Sequence, residues 1–283
     1  MRLPLLCILV LISLVYAAQT SDAKPLVSGQ VEELYSATLN EKRTLNIYLP
    51  YGYKQEDSTR YPVIYLLDGS LDEDFIHVTG LVQFNSFSWV NRVPKSIVVG
   101  IANVDRKRDF SFPTKVEADL KEFPTTGHSD KFLTFVEKEL QPFIEKNYKT
   151  STPKTLIGQS LGGLFAIEVL LKKPTLFNKY IIISPSLWWD SGSLFHQASD
   201  IFSENFSYKT DVYIGVGDEG LTPGLSGTRI EEDAKVFAEK LKAIKNKSIN
   251  TYYDYIPNES HATIGHQAVN NAFKMMSQAE IKK

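Results

Sequence analysis

Residues 155–172 read TLIGQSLGGLFAIEVLLK, and the order of residue types in that stretch decides the fold. Thr155-Leu156-Ile157 is a short apolar run of the kind that a parallel sheet covers on both faces. Residues 161–173 form an apolar helical run that Pro174 stops. Between them stands Gly158-Gln159-Ser160-Leu161-Gly162, a G-x-S-x-G sequence followed by Gly163. Strand, sharp turn and helix in immediate succession are the setting of a nucleophile elbow. At such a turn the serine backbone takes a strained conformation that lifts its hydroxyl off the sheet. Residues two before and two after it then crowd each other, and glycine fits where a side chain would not. Ser160 is therefore the candidate nucleophile. The backbone N–H of Leu161, at the helix N-terminus, is placed to face an oxyanion.

Outward from the elbow, strands and helices alternate. Upstream, Leu45, Ile47 and Leu49 alternate with polar neighbours, and an antiparallel hairpin over 31–49 is expected. The runs YPVIYLL (61–67) and SIVVGIA (96–102) read as buried strands. Leu133, Val136, Leu140 and Phe143 set a helix over 132–148. Downstream, strands are expected at 180–183, 212–216 and 251–256, with helices around 230–244 and 267–278. The pattern predicts an α/β protein: a doubly wound, mostly parallel sheet in a three-layer sandwich. With no repeat or linker, residues 19–283 are expected to form a single domain.

A serine nucleophile needs a base, and elbow hydrolases run serine, acid, histidine along the chain. His196, His261 and His266 lie downstream of Ser160. His196 comes too early, and His266 is expected on the next helix, facing solvent. His261 sits in the loop Pro257-Asn258-Glu259-Ser260-His261, just past the last strand, where such sites gather. The acid is expected after the strand at 212–216, as Glu219 or Asp218, holding the imidazole tautomer. The second oxyanion donor is expected in Asp68-Gly69-Ser70-Leu71, with the Ser70 N–H first and Leu71 second.

Composition bounds the alternatives. The chain has 283 residues, 43% hydrophobic and 23% charged, with a formal net charge of −2. That is ordinary globular composition, with no basic excess to neutralise phosphates, so nucleic-acid binding is not expected. The single cysteine, Cys7, excludes a disulfide framework. No HExxH and no clustered histidine pair is present, and no metal or organic cofactor is expected. Arg2, the apolar run 3–15 and Val15-Tyr16-Ala17 read as a signal peptide over 1–18, which would carry Cys7 away. An exported, periplasmic or secreted protein without stable membrane association is then expected. Sequons begin at Asn205, Asn246 and Asn258, the last overlapping the His261 loop.

Several stretches together resemble the putative esterase family of α/β hydrolases, which includes enterobactin and salmochelin siderophore esterases and, more distantly, esterase D and the mycolyltransferases. They are Tyr65-Leu66-Leu67-Asp68-Gly69, Asp105-Arg106-Lys107-Arg108-Asp109-Phe110, the elbow, Ser184-Pro185-Ser186-Leu187-Trp188-Trp189-Asp190 and the His261 loop. The resemblance covers most of the chain from about residue 45. It implies the α/β-hydrolase fold and ester hydrolysis; with the elbow and the signal peptide the expectation is an exported serine hydrolase cleaving carboxylic esters through an acyl-serine, with a small-molecule ester, such as a siderophore, as substrate. An acyltransferase on the same fold, or an inactive binding module, is the alternative. Gln159 stands where histidine is common in the family and reads as a neutral change, because only the backbone is constrained there. Arg106 and Arg108 are candidate contacts for an anionic acyl group or catecholate, or else partners of neighbouring aspartates. Trp188 and Trp189 are candidates to stack on an aromatic acyl group, with at least one expected in the core.

Overall fold

Eight strands form one sheet in the order β1-β2-β4-β3-β5-β6-β7-β8. The computed structural model describes residues 24, 27–221, 227–244 and 246–281, so the signal peptide expected over 1–18 lies outside the described residues. β1 (Gly29–Ser36) and β2 (Glu41–Tyr48) form the antiparallel hairpin, and β2 pairs antiparallel with β4 (Ile97–Ile101). From β4 onward every pairing is parallel, through β3 (Tyr61–Leu66), β5 (Thr150–Gln159), β6 (Lys179–Ile183), β7 (Thr210–Gly217) and β8 (Ile249–Ile256). The continuous apolar runs in the sequence are these central strands, covered on both faces.

The helices in chain order are α1 (Phe75–Asn85), α2 (Arg106–Phe110), α3 (Glu117–Glu122), α4 (Ser129–Phe135), α5 (Gln141–Asn147), α6 (Leu161–Lys172), α7 (Gly227–Lys242) and α8 (Ile264–Ile281). One face of the sheet packs α2, α4, α5, α6 and α7 around buried residues such as Phe110, Phe132, Phe165 and Phe237. The other packs α1 and α8 around Val78, Val82, Ala268 and Phe273. The three-layer arrangement matches the sequence expectation.

Two details depart from it. The helix expected over 132–148 is α4 and α5 joined by a π turn, Val136–Leu140. Pro142 has no N–H for the Lys138 carbonyl, and the ladder yields just before it, where the Gln141 N–H reaches back to Val136 O. Helix α1 carries exposed Ile76 and Phe84 besides its buried face, which blurs the stripe that would announce it in the sequence.

A chain of loops at the C-terminal ends of the parallel strands positions the site. The stretch 68–70 follows β3, the elbow joins β5 to α6, Ser184 and Ser186 follow β6, Glu219 follows β7 and His261 follows β8.

Candidate active site

The elbow is built as its residue types require. Ser160 has φ 58° and ψ −117°, a strained backbone that no helix or strand shares. Its N–H bonds to Ile183 O at 3.0 Å, and its carbonyl accepts from Leu164 N at 2.9 Å and Ser186 N at 3.1 Å. A Cβ on Gly158 would lie 2.4 Å from Gly162 O, so the crowding across the turn falls on backbone and leaves no room for a side chain. Gly162 in turn leaves space for Asp68, whose Oδ2 would sit 3.3 Å from an added Cβ, and so the 68–70 loop packs onto the elbow.

That loop is pinned from several sides. Asp68 adopts φ 52°. Gly69 passes so close to β4 that a Cβ would meet Gly100 Cα at 2.4 Å, and its N–H bonds to Ile101 O at 3.0 Å. Asn46 Nδ2 donates to Gly69 O at 2.8 Å, and Asn103 Nδ2 donates to Asp68 Oδ1 at 2.7 Å. The Ser70 N–H makes only a long bond, 3.3 Å, to Glu73 Oε2. Leu161 is the first residue of α6, where a backbone N–H has no partner within its helix. The two expected oxyanion donors thus sit on two loops held against each other.

The two candidate acids separate cleanly. Glu219 is fully buried, and its Oε2 lies 2.6 Å from His261 Nδ1. Its other oxygen, Oε1, accepts from Ser184 Oγ at 2.5 Å. A buried carboxylate is tolerable when both oxygens are bonded in this way. Asp218 instead uses its backbone N–H to hold Glu259 O at 2.8 Å, and its side chain bonds locally to Gly220 N at 3.1 Å. With Nδ1 donating to Glu219, a neutral His261 carries its lone pair on Nε2, as a general base requires.

Two hydroxyls in this site carry no sequence expectation. Ser184, fully buried at φ 39°, serves Glu219, and Ser186 Oγ stands 3.3 Å from Ser160 Oγ. Both belong to the Ser184–Asp190 stretch, where the tryptophans draw attention away from the serines.

Both arginines make ion pairs with carboxylates, the second of the two roles expected for them. Arg108 spends its guanidinium on Glu41, at 2.6 and 3.0 Å, and on Asp109 at 2.8 Å, so ion pairing accounts for it. Arg106 clamps Asp68 with two bonds, 2.6 and 2.9 Å, and reaches Gln159 O at 3.2 Å. Burial works against its charge, but the hydrogen bonds and charge of Asp68 hold Arg106 above its ordinary value. Its side chain remains 33% exposed beside the elbow. Trp189 is core, fully buried with Nε1 donating to Phe112 O at 2.9 Å. Trp188 is half-buried, tilted against Phe123 at 6.0 Å.

At Gln159 the side chain is held as well as the backbone. Its Nε2 donates to His261 O at 2.6 Å, tying the elbow to the histidine loop. Beside it a cavity of about 180 Å3 opens between α1 and α8, lined by Gly158, Ile183 and Val269 and by the polar Asp74, His77 and His266. Burial pushes the Asp74 carboxyl up, and Asp68 adds to the effect. His266 lies on α8, exposed, as the sequence suggests. Among the described residues no cluster of three or more histidine, cysteine, aspartate or glutamate side chains is arranged to hold a metal ion.

Residues 36–267 match the family described as "Putative esterase". The chain is 27% identical over 260 residues to the ferri-bacillibactin esterase BesA of Bacillus subtilis, covering 87% of this chain and 88% of that one. Its fold superposes on an IroE-like serine hydrolase from Shewanella oneidensis with a TM-score of 0.77 at 31% identity, covering 88% of this chain and 80% of that one. The BES protein from Bacillus cereus gives a TM-score of 0.77 at 26% identity, covering 90% and 97%. The chain belongs to the putative esterase family, has the α/β-hydrolase fold and is a carboxylic-ester hydrolase.

Proposed function

We propose that this esterase is an exported single-domain enzyme that hydrolyses siderophore esters with Ser160 as nucleophile, His261 as base and Glu219 as the acid that orients it. One observation carries the reading: a fully buried carboxylate bonded at 2.6 Å to a histidine whose loop is tied to the strained serine turn.

In this mechanism Ser160 Oγ attacks the ester carbonyl as His261 Nε2 takes its proton. The Leu161 and Ser70 N–H groups meet the oxyanion where charge develops. His261 then gives the proton to the leaving alcohol, and the acyl-serine remains. Water, deprotonated by the same imidazole, attacks the acyl carbonyl; as the acyl–oxygen bond to Ser160 breaks, the imidazolium returns that proton to Ser160 Oγ and the acid is released. Glu219 stays ionised throughout and stabilises the imidazolium.

The substrate class draws on BesA, which acts on ferri-bacillibactin by name. The partly exposed guanidinium of Arg106, whose Nη2 is 3.2 Å from the Gln159 carbonyl, supplies a cation beside the elbow that suits a catecholate. Export draws on the signal-like residues 1–18. Among the described residues no helix is long and apolar enough to cross a membrane.

The test is an ester panel that sets a ferric catecholate trilactone beside short acyl esters and feruloyl sugars, with products identified by mass spectrometry. Preferential opening of the trilactone supports the assignment, and preference for a simple acyl ester contradicts it. A competing alcohol in the same assay separates hydrolysis from acyl transfer.

A further inference from the structure

Besides the His261–Glu219 bond, the loop that carries His261 is held at points next to two residues of the proposed triad. On one side the N–H of Asp218, the residue before Glu219, holds Glu259 O at 2.8 Å. A Cβ on Gly217 would lie 2.2 Å from that same oxygen, so β7 and the loop are in backbone contact there. On the other side the carboxamide of Gln159, the residue before Ser160, holds the His261 carbonyl at 2.6 Å. Within the loop Ser260 N bonds to Thr263 Oγ1 at 3.0 Å, and Ile264 N bonds to Ser260 O at 3.0 Å, starting α8.

We propose that the Gln159 carboxamide is a positioning residue for catalysis: it fixes the His261 backbone against the elbow and so sets the imidazole in register with Ser160. The inference rests on the triad proposed above.

Three features make this more than a chance contact. The bond goes to the carbonyl of the histidine itself, so displacement of the carboxamide is felt at the imidazole directly. The chain makes room for it at Gly265, where an added Cβ would lie 2.7 Å from Gln159 Oε1. The side chain also borders the 180 Å3 cavity, so it is not packed on all sides, and the hydrogen bond is a directional restraint on where its carboxamide sits. At the same residue the backbone carbonyl accepts from Arg106 at 3.2 Å. Gln159 therefore couples the 68–70 loop, through Arg106 and Asp68, to the histidine loop.

Misplacing a catalytic group by about 1 Å costs on the order of 100-fold in rate, whereas substrate affinity has no reason to follow. The experiment compares wild type, Gln159→Leu, Gln159→His and Ser160→Ala for p-nitrophenyl ester turnover, fluorophosphonate labelling rate and melting temperature. Gln159→Leu keeps the bulk and removes the donor, whereas Gln159→His restores a ring N–H at similar reach. The expected result is a fall of roughly 10- to 100-fold in kcat for Gln159→Leu with KM nearly unchanged, a parallel fall in labelling rate, and substantial recovery in Gln159→His. Wild-type kcat and labelling in Gln159→Leu, alongside an inactive Ser160→Ala, would overturn this inference and leave the triad standing. Full activity in Ser160→Ala would overturn the triad and the inference together. Should Gln159→Leu fold poorly, the kcat of Gln159→Ala decides in the same sense.

Discussion

The Ser184 hydroxyl donates to Glu219 Oε1 across 2.5 Å, on the opposite oxygen from the one His261 holds. The carboxylate is fully buried, so each of these bonds replaces a water it has lost. Removing the hydroxyl in Ser184→Ala leaves a charged oxygen short of a partner. Urea denaturation should show a loss of about 1.5–3 kcal/mol.

Glu219→Gln tests the other oxygen. An amide still hydrogen-bonds to Nδ1, but it can donate, and it then stabilises the tautomer with the proton on Nε2. That tautomer cannot accept the Ser160 proton. Steady-state kinetics should show kcat lower by about 1,000- to 10,000-fold, while Asp218→Asn stays within a few-fold of wild type.

Gly158→Ala places a methyl 2.4 Å from the Gly162 carbonyl oxygen and 2.6 Å from its carbon. Both contacts are backbone, so the turn itself must move. Denaturation should report a loss of about 1–3 kcal/mol, and ester turnover should fall by far more than that change in folded population explains.

Arg43 is fully buried and salt-bridged to Asp109 at 2.7 Å, with its guanidinium 5.1 Å from the Phe132 ring centre. Asp109→Ala takes away one of the two carboxylates paired with Arg43, leaving Glu41 at 2.7 Å, and should cost about 3 kcal/mol in denaturant titrations. Arg108→Gln weakens the same network and should leave KM unchanged. A raised KM would instead return Arg108 to the substrate.

Glu41 gives the fold an acid-sensitive point. Burial opposes its charge, but hydrogen bonds from Arg108 and Arg43 hold its carboxyl below the ordinary value of 4.5. A carboxylate depressed in the folded state adds stability above its unfolded pKa, and that contribution is lost as pH falls through the folded value. Melting curves taken downward from about pH 5 should show wild type losing stability more steeply than Glu41→Gln. Parallel slopes would contradict it.

The strands and the elbow were legible because their constraints are local. β3, β4, β6 and β7 carry apolar runs, β5 shows its apolar character only next to the elbow, and the glycines around Ser160 answer to crowding within five residues of chain. The choice between Glu219 and Asp218 was not legible, since adjacent carboxylates on one loop differ only in which way the chain turns them. Arg106 and Arg108 were ambiguous for a related reason: their partners Asp68 and Glu41 lie 38 and 67 residues away. Gln159 read as neutral because its acceptor is a backbone carbonyl 102 residues downstream, and a backbone acceptor leaves no mark on residue type.

The assignment of Ser160 meets its most direct test in intact-mass and peptide spectrometry after fluorophosphonate treatment of wild type and Ser160→Ala. The account predicts a single adduct on the wild-type peptide containing Ser160, and neither adduct nor ester turnover in Ser160→Ala. An adduct on another residue, or undiminished turnover in Ser160→Ala, would contradict it.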